Sequence, residues 1–445
     1  MKNIAVFGAG RSTYYLFEYL NKLAAEDPAY VIRVYDANKA NLDAQLEGLT
    51  HLQPHIIDVS SPLAVQHAIM QCDVAVSMLP PALHMKVAGF CIEHEKHLAT
   101  ASYVSPEMRS LHHQAVGKGL IFINELGLDP GIDHMSAMQI IRKLKDSGAE
   151  ITGFESHCGG LIREEDVEGN PWKYKFTWNP MNVVTAGKAG MATYRHHGLL
   201  KCIPYHSLFR RTDSFSIPGH GRFEAYANRD SLSYETAYGI KDIPTLYRGT
   251  FRRPGYCSAW HVLVQLGMTD TDTTLNQPGL SGRKFLSFFL PDSDQALQES
   301  VQQLTGAGED EINALTWLGL FDEQALPLSK GTPAEILLEL LKTKWALGEH
   351  DRDQVVMLHR FSYRRNQEEH ELNSWLVVEG HDHRKTAMSK TVGLPLAMGV
   401  RLICEGSISE KGVLIPVSAQ WYEPILHELE AWGIRFSESE EALPD

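Results

Sequence analysis

The 445 residues, 43% hydrophobic and 22% charged, make a chain long enough for two or three folded domains, with no low-complexity run to leave it disordered. Against 41 Lys plus Arg stand 55 Asp plus Glu, and the net charge of −14 repels phosphate backbones and anionic lipid, so nucleic acid and membrane are not expected partners. Six cysteines without a Cys-x-x-Cys pair, a first strand beginning at Asn3, and a longest apolar stretch (Thr391 to Cys404) interrupted by Pro395 and Arg401 lead to the expectation of a cytoplasmic protein with reduced thiols.

In chain order, short β-rich runs at Ile4–Phe7, Val31–Tyr35, His55–Val59, Val74–Leu79, His97–Ala101 and Leu120–Ile123 alternate with helical patterns at Tyr14–Ala25, Leu63–Met70, Ala82–His94 and Pro106–Gly117. Six strands with crossover helices predict an α/β domain of the Rossmann type, a doubly wound parallel sheet over 1–130. A turn-rich segment, Glu125-Leu-Gly-Leu-Asp-Pro-Gly-Ile-Asp133, and a helix over His134–Lys145 then lead into a second, α+β domain over 131–385, expected to bind substrate and to dimerise. It opens with β-like runs at Ile151–His157 and Thr245–Phe251 among aromatic-rich loops, and carries a small helical subdomain over 270–350. Gln354–Tyr363 and Glu371–Glu379 read as a hairpin, and Thr386–Cys404 and Trp421–Trp432 as helices. The segment 386–445 is expected to pack back on the first domain, with Phe436 to Asp445 as a solvated acidic tail.

Gly8-Ala-Gly10-Arg-Ser-Thr13 stands where the first strand meets a helix, the place where glycines let a backbone approach a pyrophosphate; Thr13 replaces the third glycine of the fingerprint. Asp36 ends the second strand, where a carboxylate accepts from ribose hydroxyls and repels a 2′-phosphate, so NAD is expected over NADP, with Arg11 and Lys39 as the counter-indication. Ser77-Met-Leu79 and Ala101-Ser-Tyr103 end the fourth and fifth strands, where the nicotinamide half should lie. The paired histidines His112-His113, His196-His197 and His381-Asp-His383 lack a spaced partner set, so no metal is expected.

Nearly end to end the chain resembles the glutamate-forming saccharopine dehydrogenases. The resemblance is carried by Leu98-Ala-Thr-Ala-Ser-Tyr103, Glu125-Leu-Gly-Leu-Asp-Pro-Gly-Ile-Asp-His-Met135, Cys158-Gly-Gly-Leu161, Tyr174-Lys-Phe-Thr-Trp-Asn-Pro180, Asn228-Arg-Asp-Ser231, Tyr247-Arg-Gly-Thr-Phe-Arg252 and Lys390-Thr-Val-Gly-Leu-Pro-Leu-Ala-Met398. It implies NAD(P)-dependent oxidation of saccharopine at its secondary amine, with hydrolysis of the imine to glutamate and 2-aminoadipate semialdehyde, in lysine metabolism. It also implies substrate contacts at Ser102, Tyr103, Asp129, Arg229, Thr250, Phe251 and Arg252. The nucleotide would touch Gly8, Ala9, Gly10, Arg11, Ser12, Asp36, Asp58, Ser77, Met78, Leu79, Ala101, Ser102, Leu128, Asp129 and Pro130.

A substrate with three carboxylates needs gathered cations, and Arg222, Arg229, Arg248, Arg252 and Arg253 share one short stretch. Imine hydrolysis needs an acid and a base: Asp129 and Tyr103 are the leading candidates, with His134, His157, Cys158 and Lys175 also open. Other readings are an opine or polyamine substrate such as carboxynorspermidine, a homospermidine-synthase-like transferase that recycles bound NAD, and a nucleotide-sensing regulator without catalysis.

Overall fold

Strand β1 (Lys2–Phe7) is buried over its last four residues and pairs in parallel with β2 (Tyr30–Asp36) on one side and β4 (Val74–Ser77) on the other. β3 (Leu52–Ile56) lies outside β2, while β5 (His97–Ala99) and β6 (Ile121–Ile123) continue beyond β4. The strand order 3-2-1-4-5-6 therefore reverses between β1 and β4, the switch point of a Rossmann fold. The computed structural model describes residues 1–167, 169–185 and 190–443, which fall into two units: Met1–Ala149 with Gly380–Phe436, and Glu150–Glu379 with Ser437–Asp445.

Local differences from the sequence expectation in the first unit have simple causes. β3 starts three residues before the apolar run that announces it, because it is an edge strand with four of its five residues exposed and Pro54 tolerated there. The helix expected over Pro106–Gly117 is two, Pro106–Ser110 and His112–Gly117, tightened at the joint by a bond from Leu111 N to Met108 O (3.1 Å). Helix Lys39–Leu46 buries only Leu42 and so left no periodic signature.

The helix Ala387–Glu405 is long and apolar enough to cross a membrane by length and composition, yet 78% of its apolar window is buried within the protein. It is a core helix of the first unit. A β-carbon at Gly393 would lie 2.6 Å from Leu16 N, so the helix crosses Tyr14–Glu26 at backbone distance, and Ser389 Oγ accepts from Tyr15 N (3.2 Å).

The second unit is built on β7 (Glu150–Ile162), a 13-residue strand paired along its length. With β8 (Ala192–His196), β9 (Leu199–Ile203), β10 (Thr212–Ile217), β11 (Gly221–Ala227) and β12 (Thr245–Arg252) it forms one wing of a nine-stranded mixed sheet. A short pair, β13 (Leu275–Asn276) and β14 (Lys330–Gly331), stands apart from the other wing, the hairpin β15 (Asp353–Arg365) and β16 (Glu368–Glu379). The helices of 270–350 share one core with the sheet, in which Trp172, Tyr174, Tyr256, Trp260 and Trp345 are fully buried. After β17 (Gly412–Leu414), which extends the first unit's sheet beside β6, the acidic tail proves to be strand β18 (Ser437–Ala442).

Its side chains are exposed, as expected of a solvated tail, but its backbone pairs with β16 and closes an open sheet edge with a charged strand. Glu440 accepts from Tyr363 Oη and from Arg365 Nη2 (2.8 Å), which together hold its carboxyl below the usual range. Asp445, counted in the tail, lies outside the described residues.

Candidate active site

Gly8 leaves β1 with φ +102°, and a β-carbon there would sit 2.8 Å from Met78 O. Only glycine fits where the loop passes the end of β4, and the cradle suits a pyrophosphate. Asp36 serves this loop directly: Oδ2 accepts from Ala9 N (2.7 Å), and Oδ1 from Asn38 N (2.8 Å). Its carboxylate is therefore engaged in bracing the loop. Arg11 and Ser12 lie in the same turn, and Lys39 is paired with Asp43 (2.5 Å). Asp58 is exposed after β3, its carboxyl lowered by bonds from Ser60.

At the carboxyl ends of β4 and β5 the structure shows a residue that sequence reasoning passed over. His84, in the first turns of helix Pro81–Glu93, is 6% exposed; its Nδ1 bonds Ser77 Oγ (2.7 Å) and its Nε2 bonds Ser102 Oγ (2.8 Å). Burial pushes its pKa down to about 4, so the imidazole is neutral at neutral pH. The backbone closes the ring: Ser102 N donates to Thr100 Oγ1 (3.2 Å), which donates to Ser77 O (2.8 Å). The signal available in the sequence was a histidine seven residues after a strand-end serine, on the helix that starts at the switch point.

Tyr103 Oη donates to Asp129 Oδ1 (3.1 Å), which brings together the two leading acid–base candidates. Leu128, Asp129 and Pro130 form the turn before helix Ile132–Asp146, with Gly127 N bonded to Pro130 O (3.0 Å) and Asp133 N to Leu128 O (3.0 Å). His134 is fully buried against Glu125 (Nε2 to Oε2, 2.8 Å), whose other oxygen accepts from Val104 N (2.9 Å). It holds the Ser102–Tyr103 loop and has no exposed face for catalysis.

In the second unit β12 sorts the predicted cluster by alternation. Arg248, Thr250 and Arg252 share one face, while Phe251 points to the other, into a core with Phe215, Phe223 and Leu358. Phe251 can therefore contribute only backbone to a ligand. Arg252 is 4% exposed: Nη1 donates to Phe251 O (2.8 Å) and Nη2 to Tyr226 Oη (3.2 Å), with the rings of Tyr174, Tyr256 and Tyr226 5.1, 5.1 and 5.5 Å away. Its Nε has no acceptor, and among the described residues no carboxylate pairs with it. A buried cation left without an anion is the feature an anionic ligand would complete.

Arg248 lies over the Tyr234 ring (4.1 Å), and Arg229 is exposed just past β11 with φ +32°. Register puts Arg252 opposite Glu224 on β11, and Arg229 follows two residues after that strand ends. Two members leave the expected cluster: Arg253 is tied to Gln354 (2.9 Å) and Glu164 (3.5 Å), and Arg222 is exposed at the far end of β11. Lys175 is paired with Asp351, and His157 is fully buried among Phe215, Phe251 and Tyr247, its pKa lowered by burial. Cys158 is buried on β7 opposite Thr250 and Met357.

A doubly wound sheet with this glycine cradle is the fold of dinucleotide-binding domains, and the second unit holds a buried guanidinium whose Nε has no acceptor among the described residues. Residues 4–123 match the profile described as "Saccharopine dehydrogenase NADP binding domain", and residues 127–434 match "Saccharopine dehydrogenase C-terminal domain". The chain belongs to the saccharopine dehydrogenase family.

It is 30% identical over 451 residues to "Saccharopine dehydrogenase [NADP(+), L-glutamate-forming]" of Saccharomyces cerevisiae, covering 98% of this chain and 99% of that one. It is 33% identical over 453 residues to "Alpha-aminoadipic semialdehyde synthase, mitochondrial" of Bos taurus, covering 98% of this chain and 47% of that one. The chain thus spans about half, or less, of the bovine, rat and Arabidopsis synthases it matches. The apo structure of saccharopine dehydrogenase (L-Glu forming) from S. cerevisiae superposes with a TM-score of 0.87 at 28% identity, covering 99% of this chain and 100% of that one. The expected preference for NAD finds no support: the matching profile and the fungal relatives carry NADP in their descriptions, and Asp36 spends its carboxylate on the glycine loop.

Proposed function

We propose that the chain oxidises saccharopine with NADP as acceptor. The secondary amine becomes an imine, and water cleaves it to L-glutamate and 2-aminoadipate 6-semialdehyde. The observation that carries this reading is Arg252, a buried guanidinium in a tyrosine cage with no carboxylate paired to it among the described residues. Arg252 and Arg229 would each hold a carboxylate of the ligand, with Thr250 adding a hydroxyl.

The dinucleotide, when bound, supplies the hydride acceptor. Gly8 to Ser12 would hold its pyrophosphate, and Ser77, Met78, Leu79, Ala101, Ser102 and Leu128 to Pro130 its nicotinamide half. Arg11, exposed in the glycine loop, would take the 2′-phosphate. The Tyr103–Asp129 pair would accept the amine proton and return it during hydrolysis of the imine, since the amine must be neutral to lose hydride.

The test is to incubate purified protein with saccharopine and NADP and measure reduced nicotinamide and glutamate together. Equimolar formation of both supports the proposal. Reaction with a polyamine in place of saccharopine, or a net reaction that leaves no free reduced nicotinamide, would favour the carboxynorspermidine or homospermidine-type readings instead.

A further inference from the structure

The bridge through His84 joins two strand ends that the proposed function places at the ligand. Ser77 is 1% exposed and His84 6%, and both ring nitrogens are taken by serine hydroxyls. A neutral imidazole has one donor and one acceptor, so its two serine partners cannot play the same role. If Nε2 carries the hydrogen, it donates to Ser102 Oγ, and Nδ1 accepts from Ser77. The hydroxyl hydrogen of Ser102 is then left to donate outward. In the other tautomer Ser102 spends its hydrogen on Nε2 and offers a ligand only lone pairs.

The closed ring through Thr100 fixes both serine backbones, so the tautomer alone sets the polarity of Ser102. An anionic or carbonyl-bearing ligand requires a donor there, and the Nε2–H form is the one that supplies it.

Resting on the proposed function for the identity of the ligand, we propose that His84 is a positioning residue. Its Nε2–H donates to Ser102 Oγ and turns the Ser102 hydroxyl into a donor aimed at the substrate. The residue touches no ligand itself and acts wholly through Ser102.

A double-mutant cycle tests this with four proteins: wild type, His84→Phe, Ser102→Ala and the pair. His84→Phe is expected to lower kcat for saccharopine about 100-fold, the scale of a misplaced contact. Tm is expected to fall by a few degrees, as for loss of a buried hydrogen bond, and NADPH affinity, read by fluorescence titration, to fall much less than kcat. In the Ser102→Ala background the same change should cost less than about twofold, because the partner it acts through is gone. His84→Gln, which keeps a donor at the Nε2 position, should recover about tenfold of the lost kcat. Equal losses from His84→Phe in both backgrounds, or a fall in NADPH affinity that matches the fall in kcat, would overturn the proposal.

Nitrogen NMR of the imidazole gives a readout independent of turnover. The Nε2–H tautomer is expected in wild type and a mixture in Ser102→Ala; an Nδ1–H tautomer in wild type overturns the proposal whatever the substrate. Absence of saccharopine turnover with the Nε2–H tautomer in place would sink the functional reading alone.

Discussion

Replacing Arg252 by Met separates the two things a buried charge does. The side chain keeps a similar length, but the guanidinium and its hydrogen bonds to Phe251 O and Tyr226 Oη are lost. Those bonds and the three aromatic contacts stabilise the folded chain. Against them stand several kcal/mol of desolvation and about 1–3 kcal/mol for the unsatisfied Nε. The opposing contributions are similar in size, so the variant should unfold within about 1 kcal/mol of wild type, a Tm change of ~2–4 °C. Ligand binding should respond far more, because a carboxylate seated on Arg252 would be left buried and unpaired. The expected loss is about 2–5 kcal/mol, or about 30- to 4,000-fold in Kd at ~1.4 kcal/mol per tenfold. Calorimetric titration with saccharopine in the presence of NADPH, beside a thermal melt, measures both. Arg253→Met is the control: with Gln354 and Glu164 as partners it should lose stability and leave saccharopine affinity intact. An Arg252→Met protein that binds saccharopine as wild type does would refute the reasoning.

Asp36→Ala should weaken NADP and NAD alike, since it unlocks Ala9 N; tighter NADP binding would show instead that the carboxylate acts by repelling a 2′-phosphate. Arg229 is exposed, so Arg229→Ala should cost saccharopine less affinity than Arg252→Met does; the reverse order in the same titration would contradict the roles assigned to the two arginines. Gly393→Ala, which forces a β-carbon to 2.6 Å from Leu16 N, should destabilise the first unit by about 1–3 kcal/mol in urea denaturation. Because folding lowers the pKa of His84 from 6.5 to about 4, the unfolded chain binds the extra proton between those values. The stability this residue contributes is whole above pH 6.5 and is lost as pH falls toward 4, by up to ~1.4 kcal/mol per pH unit. Between pH 7 and 5, His84→Gln should therefore lose less stability than wild type; equal losses would place the proton elsewhere.

The first domain was readable because buried parallel strands announce themselves as short apolar runs between helical patterns, and the glycine loop falls at a strand end. Exposed elements were harder: β3 and helix Lys39–Leu46 bury too little to leave a periodic signature, and β18 looked like a solvated tail because all its side chains are exposed while its backbone does the pairing. The arginine cluster was visible as composition, but its division was not. Strand alternation and register decide that Arg248 and Arg252 share a face, and that Arg253 is tied to Gln354 and Glu164. At Asp36 the position suits a ribose, but the sequence alone does not show that its oxygens brace the loop beside it. His84 escaped notice because its seven-residue spacing from Ser77 matches no familiar motif, and its second partner, Ser102, is brought to it only by the fold.

The most direct test of the central claim is a steady-state assay of the purified chain with saccharopine, with NADP or NAD as acceptor, following reduced nicotinamide and assaying glutamate in the same samples. The account predicts turnover with NADP preferred and one glutamate formed per nicotinamide reduced. Binding of NADPH with no oxidation of saccharopine, or turnover that prefers NAD, would contradict it.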